Sequence, residues 1–282
     1  MVPVFERGPA PAERGPSRAR RARDGVARGE PQASEVSQAE IRVWGLAMTY
    51  PSGHELPLHR HTTGQLVYAS RGVMTVHTEG GIWVVPAHRA VWVPPDTEHR
   101  ITMSGEVEMR TVYLARDLVF AGVTECSVVN VSPLLRELIL HAVERAPLYA
   151  AVTAHVNLIG LLVDQLQALP AVPLQLPAPR DPRARRAAES LRASPADAAD
   201  LDRVARRAGA SKRTLERLFQ SETGMSFGTW RQQLRLMQAL ERLAAGESVT
   251  EVALAVGYDS TSAFISRFRQ VLGTTPGKYY QA

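Results

Sequence analysis

A single cysteine, Cys126, occurs in the 282 residues. One thiol cannot close an internal disulfide, which excludes the stapled secreted folds and fits a reducing compartment. No stretch of about 18 apolar residues exists, so no membrane span is expected. The Arg- and Pro-rich start has no apolar segment of the kind a secretory signal needs, and a cytoplasmic location is the expectation. Histidine is missing from the final third, since all eight lie before Arg180. With Cys126 also upstream, that third holds neither a zinc finger nor imidazole chemistry. It lacks an acidic balance as well. From Arg180 onward 17 Lys/Arg stand against 11 Asp/Glu, whereas residues 1–179 hold 16 and 17. The positive excess of the chain therefore sits wholly in the last third, as expected of a separate nucleic-acid-binding module.

Four textures follow one another along the chain. Residues 1–38 are rich in Arg, Pro, Gly and Ala and nearly free of large apolar residues, which predicts a disordered tail; its Arg18, Arg20, Arg21 and Arg23 read as solvated charge. From Ile41 to Leu118, short runs such as QLVYAS, GVMTVHT, GIWVVP and AVWVP are separated by Gly80-Gly81 and Pro94-Pro95-Asp96. Many short strands with turns between them predict a barrel or jelly roll. From Ser132 the period changes. Ser132 caps a helix with Pro133 at its first position, and a second helix carries Val152, Val156, Ile159, Val163 and Leu166 at heptad spacing. These helices close a domain over residues 39–169 and are expected to pack on it and to pair between subunits. Residues 170–182 (PAVPLQLPAPRDP) predict a semi-stiff extended linker, and residues 183–282 form the basic domain.

That domain reads as helical throughout. Asp200 caps a helix whose Leu201, Val204, Ala205 and Ala208 face inward, Gly209 permits the turn, and Ser211 caps a second helix with Leu215, Leu218 and Phe219 inward. Lys212, Arg213, Glu216 and Arg217 are left outside. Two short helices joined at a glycine, the second one basic, are a helix-turn-helix pattern. The pattern recurs after a long helix closed by Gly246. Ser248 and Glu251 form a capping box, Gly257 marks the turn, and Asp259 or Ser260 caps a helix with Phe264 and Phe268 inward. Thr261, Ser262, Ser266, Arg267 and Arg269 remain outside.

The segments VARRAGASKRTLERLFQSETGMSF, RLMQALERL and VALAVGYDSTSAFISRFRQVLGTTPGKYY resemble the AraC/XylS family of regulators, over roughly Leu191 to Tyr280. Tyr258 stands where that family usually has Phe. The resemblance implies an all-α tandem helix-turn-helix domain that reads double-stranded DNA as a sequence-specific transcription regulator. It further implies that Arg213, Glu216 and Arg217 face bases in one major groove and Thr261, Ser262 and Ser266 in the next, about 34 Å along the duplex. Arg is the natural bidentate reader of guanine, so the first unit is expected to carry more specificity. Lys212, Arg235, Ser260 and Arg267 are the candidates for phosphate.

Upstream, Gly53, then His59-x-His61, then Gln65 and Gly72 resemble the first cupin motif, with Gln65 in place of its Glu. Pro94-x-Asp96-x-x-His99 is similar to the second, with Met103 in place of its Asn. The resemblance implies a cupin-like barrel, so that the fold as a whole is α+β with two domains. His59, His61, Gln65 and His99 are the candidate ligands of a divalent transition metal; the competing reading is a polar patch in a ligand pocket. Tyr68, Trp83, Trp92 and Tyr113 are candidates to line an apolar effector pocket, or core residues. Cys126 reads as a packed thiol.

Three functions compete. The first is a transcription regulator without catalysis, responsive to a small-molecule effector, with a homodimer and RNA polymerase as expected partners. The second is a cupin metalloenzyme, dioxygenase-like, with an appended helical DNA-binding domain; Gln65 argues against it. The third is an architectural DNA binder with no effector.

Overall fold

Alternating Val, Ile, Tyr and Thr in the first half place strands, and the places where they bend make the barrel. The computed structural model describes residues 41–279 apart from 88, 119–124 and 168–173; the tail expected over 1–38 lies outside the described residues. The strands are β1 (Ile41–Tyr50), β2 (Glu55–His59), β3 (Gly64–Thr78), β4 (Gly81–Pro86), β5 (Arg89–Val93), β6 (His99–Leu114) and β7 (Ser127–Asn130). Two more, β8 (Leu148–Tyr149) and β9 (Gln175–Pro177), follow later in the chain. All recorded pairings are antiparallel. β3 and β6 each run through both parts of one nine-stranded sheet. Gly64–Arg71 pairs with Glu108–Leu114 inside the order β7-β5-β3-β6-β1-β8, and Val73–His77 pairs with Arg100–Ser104, flanked by β4 and β2. The register slips at Arg71, which kinks both strands and rolls the sheet.

The two faces of this sheet bury different partners. Leu66, Tyr68, Val112, Leu114 and Trp92 pack on α1 (Pro133–Arg145) and α2 (Thr153–Gln167), through Leu135, Ile139, Ile159 and Leu162. Ser132 accepts from the Leu135 amide at the start of α1, as its cap. On α2 the expected heptad stripe is rotated. Ile159, Leu162 and Leu166 are buried, while Val156 is 47% exposed. A helix lying on a sheet uses positions spaced three and four apart, and Leu162 takes the place expected of Val163.

The other face joins the helical half. Its elements are α3 (Pro182–Ala193), α4 (Leu201–Ala208), α5 (Lys212–Thr223), α6 (Phe227–Ala244), α7 (Val249–Ala255), α8 (Thr261–Leu272) and α9 (Pro276–Tyr279). One apolar cluster runs from Val67, Val76 and Ile101 in the barrel through Leu174 and Leu176 to Trp230, Leu236 and Leu240 of α6 and on into α8. Residues Ile41–Ala282 accordingly form one compact unit. The stretch expected as a linker takes part in it. Gln175–Pro177 is a strand on the edge of β4, since the extended backbone that proline favours is also strand backbone, and Gln175 and Leu176 still carry amide protons.

Polar contacts fix the seam between barrel and helices. Thr75 of β3, buried, donates to the Glu241 carboxylate of α6 at 2.5 Å, and Trp230 Nε1 donates to Pro177 O at 2.9 Å. Gly105, at φ +71°, lies so close to the end of α6 that a Cβ there would stand 2.3 Å from Ala244 O. Burial raises the Glu241 carboxyl above its ordinary value. His77 sits at the same seam, held down to about 4 by burial and by the nearby Arg100 and Arg192 guanidinium groups. An imidazole that resists protonation when folded, but not when unfolded, withdraws stability as the pH falls from about 6.5 toward 4. The loss expected from His77 is on the order of 2 kcal/mol. Replacing it, His77→Gln, should flatten the urea-denaturation profile over that range by a similar amount. An unchanged slope would place the acid sensitivity elsewhere.

Candidate DNA-reading surface and sensing centre

Each helix-turn-helix unit is set by its caps. Asp200 accepts from the Arg203 amide, Gly209 ends α4 at φ +75°, and Ser211 accepts from the Thr214 amide to start α5. In the second unit Ser248 and Glu251 form a capping box at α7, and Ser260 accepts from the Ala263 amide to start α8. Leu215, Leu218 and Phe219 turn α5 inward, and Phe264, Phe268 and Leu272 do the same for α8. The opposite faces are open. Lys212, Arg213, Glu216 and Arg217 line a groove with Leu201 and Gln220. Ser262 and Ser266 line a second with Ile265, Arg269, Gln270 and Thr275.

The two recognition helices correspond position for position, 49 residues apart: Ser211 with Ser260, Arg213 with Ser262, Arg217 with Ser266, Gly224 with Gly273. This register adds two side chains to the expected readers. Gln220 and Arg269 occupy the same place in the two units, both exposed at the groove. The internal repeat was the signal that could have found them. Thr261 is half-buried at the first position of α8.

The expected phosphate contacts divide. Lys212 is exposed. The Ser260 hydroxyl is engaged as a cap, and half-buried Arg267 donates to Gln270 Oε1 at 2.9 Å. Arg235 turns inside the domain, where its Nε donates to Pro195 O at 3.0 Å.

In the barrel, three imidazoles converge. His59 ends β2 opposite His99, the first residue of β6, and His61 reaches them from the loop beyond β2. One ring nitrogen from each lies within 4.8 Å of the others. Each Nδ1 faces a backbone carbonyl: His59 to Pro57 O at 2.7 Å, His61 to Thr63 O at 2.8 Å, His99 to Thr97 O at 2.9 Å. A carbonyl only accepts, so Nδ1 carries a proton, and in the neutral ring Nε2 keeps a lone pair. Nε2 of His61 and of His99 stand 2.9 and 3.1 Å from Gln65 Oε1. Gln65 is held from behind, its Nε2 donating to Thr111 Oγ1 and Tyr113 Oη, both at 3.0 Å.

With both rings neutral, two imidazole lone pairs and an amide oxygen meet at one spot. Such a set is satisfied by a positive centre, or by an amide turned end for end so that its NH2 donates to both rings. Burial holds His99 down to about 4, so its ring is neutral near pH 7. The donor set fits a divalent transition metal.

The four aromatic candidates do not share a cavity. Tyr113 faces the histidines, 5.1 Å from the His61 ring, and is pushed up to about 12 by burial and by Tyr50. Tyr68 and Trp92 lie on the other face of the sheet, against α1 and α2, while Trp83 is core. Sequence alternation alone does not say which face of a two-sided buried strand looks into the barrel. Trp44 and Met48 share the Tyr113 face, by the register of β1 on β6, and remain 47% and 42% exposed. Cys126 is buried, with its thiol pushed up to about 12 by burial.

Family comparison agrees with both halves. The profile described as "AraC-like ligand binding domain" matches residues 48–224, and one described as "Helix-turn-helix domain" matches residues 204–282. The HTH-type transcriptional regulator NimR of Escherichia coli K12 is 39% identical over 223 residues, 79% of this chain and 81% of that protein. This chain belongs to the AraC family of transcription regulators. It is a DNA-binding regulator with a ligand-binding domain. The regulator RipA of Corynebacterium glutamicum is 41% identical over 104 residues, 37% of this chain and 31% of that protein. Among solved structures, the C-terminal domain of AraT from Geobacillus stearothermophilus is 28% identical and covers 36% of this chain and 85% of that one, with a TM-score of 0.34. No described helix of this AraC-family chain is long and apolar enough to cross a membrane.

Within the family frame, the open arginines carry the most specific expectation. Arg217→Ala should weaken binding to the preferred site by about 1–3 kcal/mol and relax base choice at one position, whereas Lys212→Ala should weaken all sequences alike and lower the salt slope by about one. Both are read from binding isotherms at several salt concentrations. Wild-type base preference in the Arg217 variant would show that α5 has been placed in the wrong register on its groove.

Proposed function

We propose that this regulator reads two successive major grooves of one duplex, α5 in the first and α8 in the second, and that its barrel senses a small molecule without catalysing a reaction. The observation that carries the reading is the pair of open polar faces on α5 and α8, in the two units that α6 joins in the chain. An 18-residue helix is about 27 Å long, a span suited to neighbouring turns of DNA. The domain boundaries that go with this reading are a sensing domain over residues 39–169 and a DNA-binding domain over 183–282. Reading chromosomal DNA implies work in the cytoplasm, and RNA polymerase is the further partner of a regulator bound beside a promoter. Leu134 and Val156, left exposed on α1 and α2, support a homodimer through these helices.

For the sensing centre we infer a divalent transition metal held by His59, His61 and His99, with Gln65 Oε1 as the further donor. When bound, it would supply a Lewis-acidic point for a donor atom of the effector. Trp44, Met48 and Tyr113 offer that effector an apolar shelf. Gln65 stands where the first cupin motif has Glu, and the relatives are regulators, so the sensor reading is favoured over a dioxygenase-like enzyme.

In-vitro selection of bound DNA, repeated with and without candidate effectors, tests the whole reading: the selected site should hold two short conserved blocks about one helical turn apart. A single block would overturn it. The metal is tested separately. Purified protein dialysed against cobalt(II) should hold about one equivalent, show visible absorption bands, and melt several degrees higher; His61→Ala should lose all three. Wild type that takes up no metal and gains no thermal stability would leave Gln65 turned with its NH2 toward the rings, as a purely hydrogen-bonded pocket.

A further inference from the structure

Three side chains of α6 grip the end of α3 and the loop that follows it. Arg231 donates to Ala199 O at 2.8 Å and also to Asp197 O, Arg235 Nε donates to Pro195 O, and Gln238 donates to Arg192 O at 2.9 Å. Arg192 lies in the last turn of α3, and the other acceptors lie on the connection that leads into α4 of the first reading unit. Arg235 differs from the other two in what lies on its far side. Gly257, the turn between α7 and α8, sits flush against its guanidinium: a Cβ built there would stand 2.7 Å from Arg235 Nη2, 2.9 Å from Cζ and 2.8 Å from Ala196 Cα. One planar side chain thus touches the loop that introduces the first unit and the turn inside the second.

We propose that Arg235 is a positioning residue that fixes the spacing and angle between the two DNA-reading helices, and that it makes no phosphate contact. The chemistry suits arginine. A guanidinium is flat, so it fills the slot over a residue with no Cβ; it stays charged when half-buried; and its donors are set in a fixed plane. A lysine keeps the charge but neither the plane nor the Nε donor. The joint matters because two reading heads on one duplex act as a bivalent ligand. The second contact is gained only when the geometry of the first already presents it to its groove, and that gain is lost without any change in either contact when the geometry loosens.

This inference rests on the paired-groove reading above, and the experiment separates the two. The probes are the selected DNA site, each of its blocks alone, and the same site with one or two base pairs inserted between the blocks. Full-length wild type, Arg235→Lys and Arg235→Met are compared. Wild type should lose about tenfold or more in affinity on insertion. Both variants should bind the uninterrupted site about tenfold more weakly, discriminate between spacings by less than about threefold, and bind single blocks within about twofold of wild type, with the salt slope unchanged. Overturning results are distinct. A phosphate contact would leave Arg235→Lys close to wild type and drop the salt slope of Arg235→Met by about one on single blocks as well. Variants that keep the wild-type spacing preference, or unfold in both the Lys and Met forms, would also overturn it. If wild type itself ignores the insertion, the paired-groove reading has failed and not the role of Arg235 alone.

Discussion

Everything in this chain leans on α6. Most helices of a globular domain have a wet side, but on α6 the buried positions run Phe227, Trp230, Gln233, Leu234, Leu236, Met237, Ala239 and Leu240, too many and too closely spaced for one stripe. The helix is enclosed because three bodies share it. The first reading unit packs on it through α5, the second through α7, and the barrel through β3, β4 and β6. The same rod that spaces the reading heads is thus the seat of the sensor. A change in the barrel that altered its hold on Thr75–Glu241 or on the Gly105 contact would act directly on the element that sets the heads.

The helical half was legible because its signals are local. Asp200, Ser211 and Ser248 with Glu251 each cap the helix that their spacing implies, Ser260 of the two candidates caps α8, and Gly209 and Gly257 take the positive φ that the turns need. The barrel was legible as a class only. Its strands were visible, but β3 and β6 are too long and too buried on both faces for alternation to say which side looks inward. That is why Tyr68 and Trp92, read as pocket candidates, belong with α1 and α2, and why Trp44 and Met48 went unnoticed. Arg235 failed to be legible for a third reason. Nothing local distinguishes an arginine that reaches phosphate from one that folds back onto a carbonyl forty residues away in the chain; only the tertiary packing of Gly257 and Pro195 decides it.

The histidine cluster shows how one substitution in a familiar motif changes what must be asked of a site. With a carboxylate at position 65, negative charge would draw in a cation directly. With Gln65 the site has no carboxylate, and its donors are arranged by three backbone carbonyls and two hydroxyls. A neutral amide can present either end at little cost, so the same residue suits an occupied and an empty centre.

The short path between the two halves has a mechanical consequence. Ala178 is tied to the barrel by its amide, which donates to Gly80 O at 3.2 Å. Arg180 and Asp181 are tied to the reader by theirs, which both donate to the Glu222 carboxylate of α5. Between these moorings stands only Pro179, buried, with no amide proton and a locked φ. The sensor therefore cannot swing its partner on a tether. Any signal that crosses must travel as a tilt of a nearly rigid body, and freeing the reader to swing would first require Gly80 or Glu222 to let go of its amide.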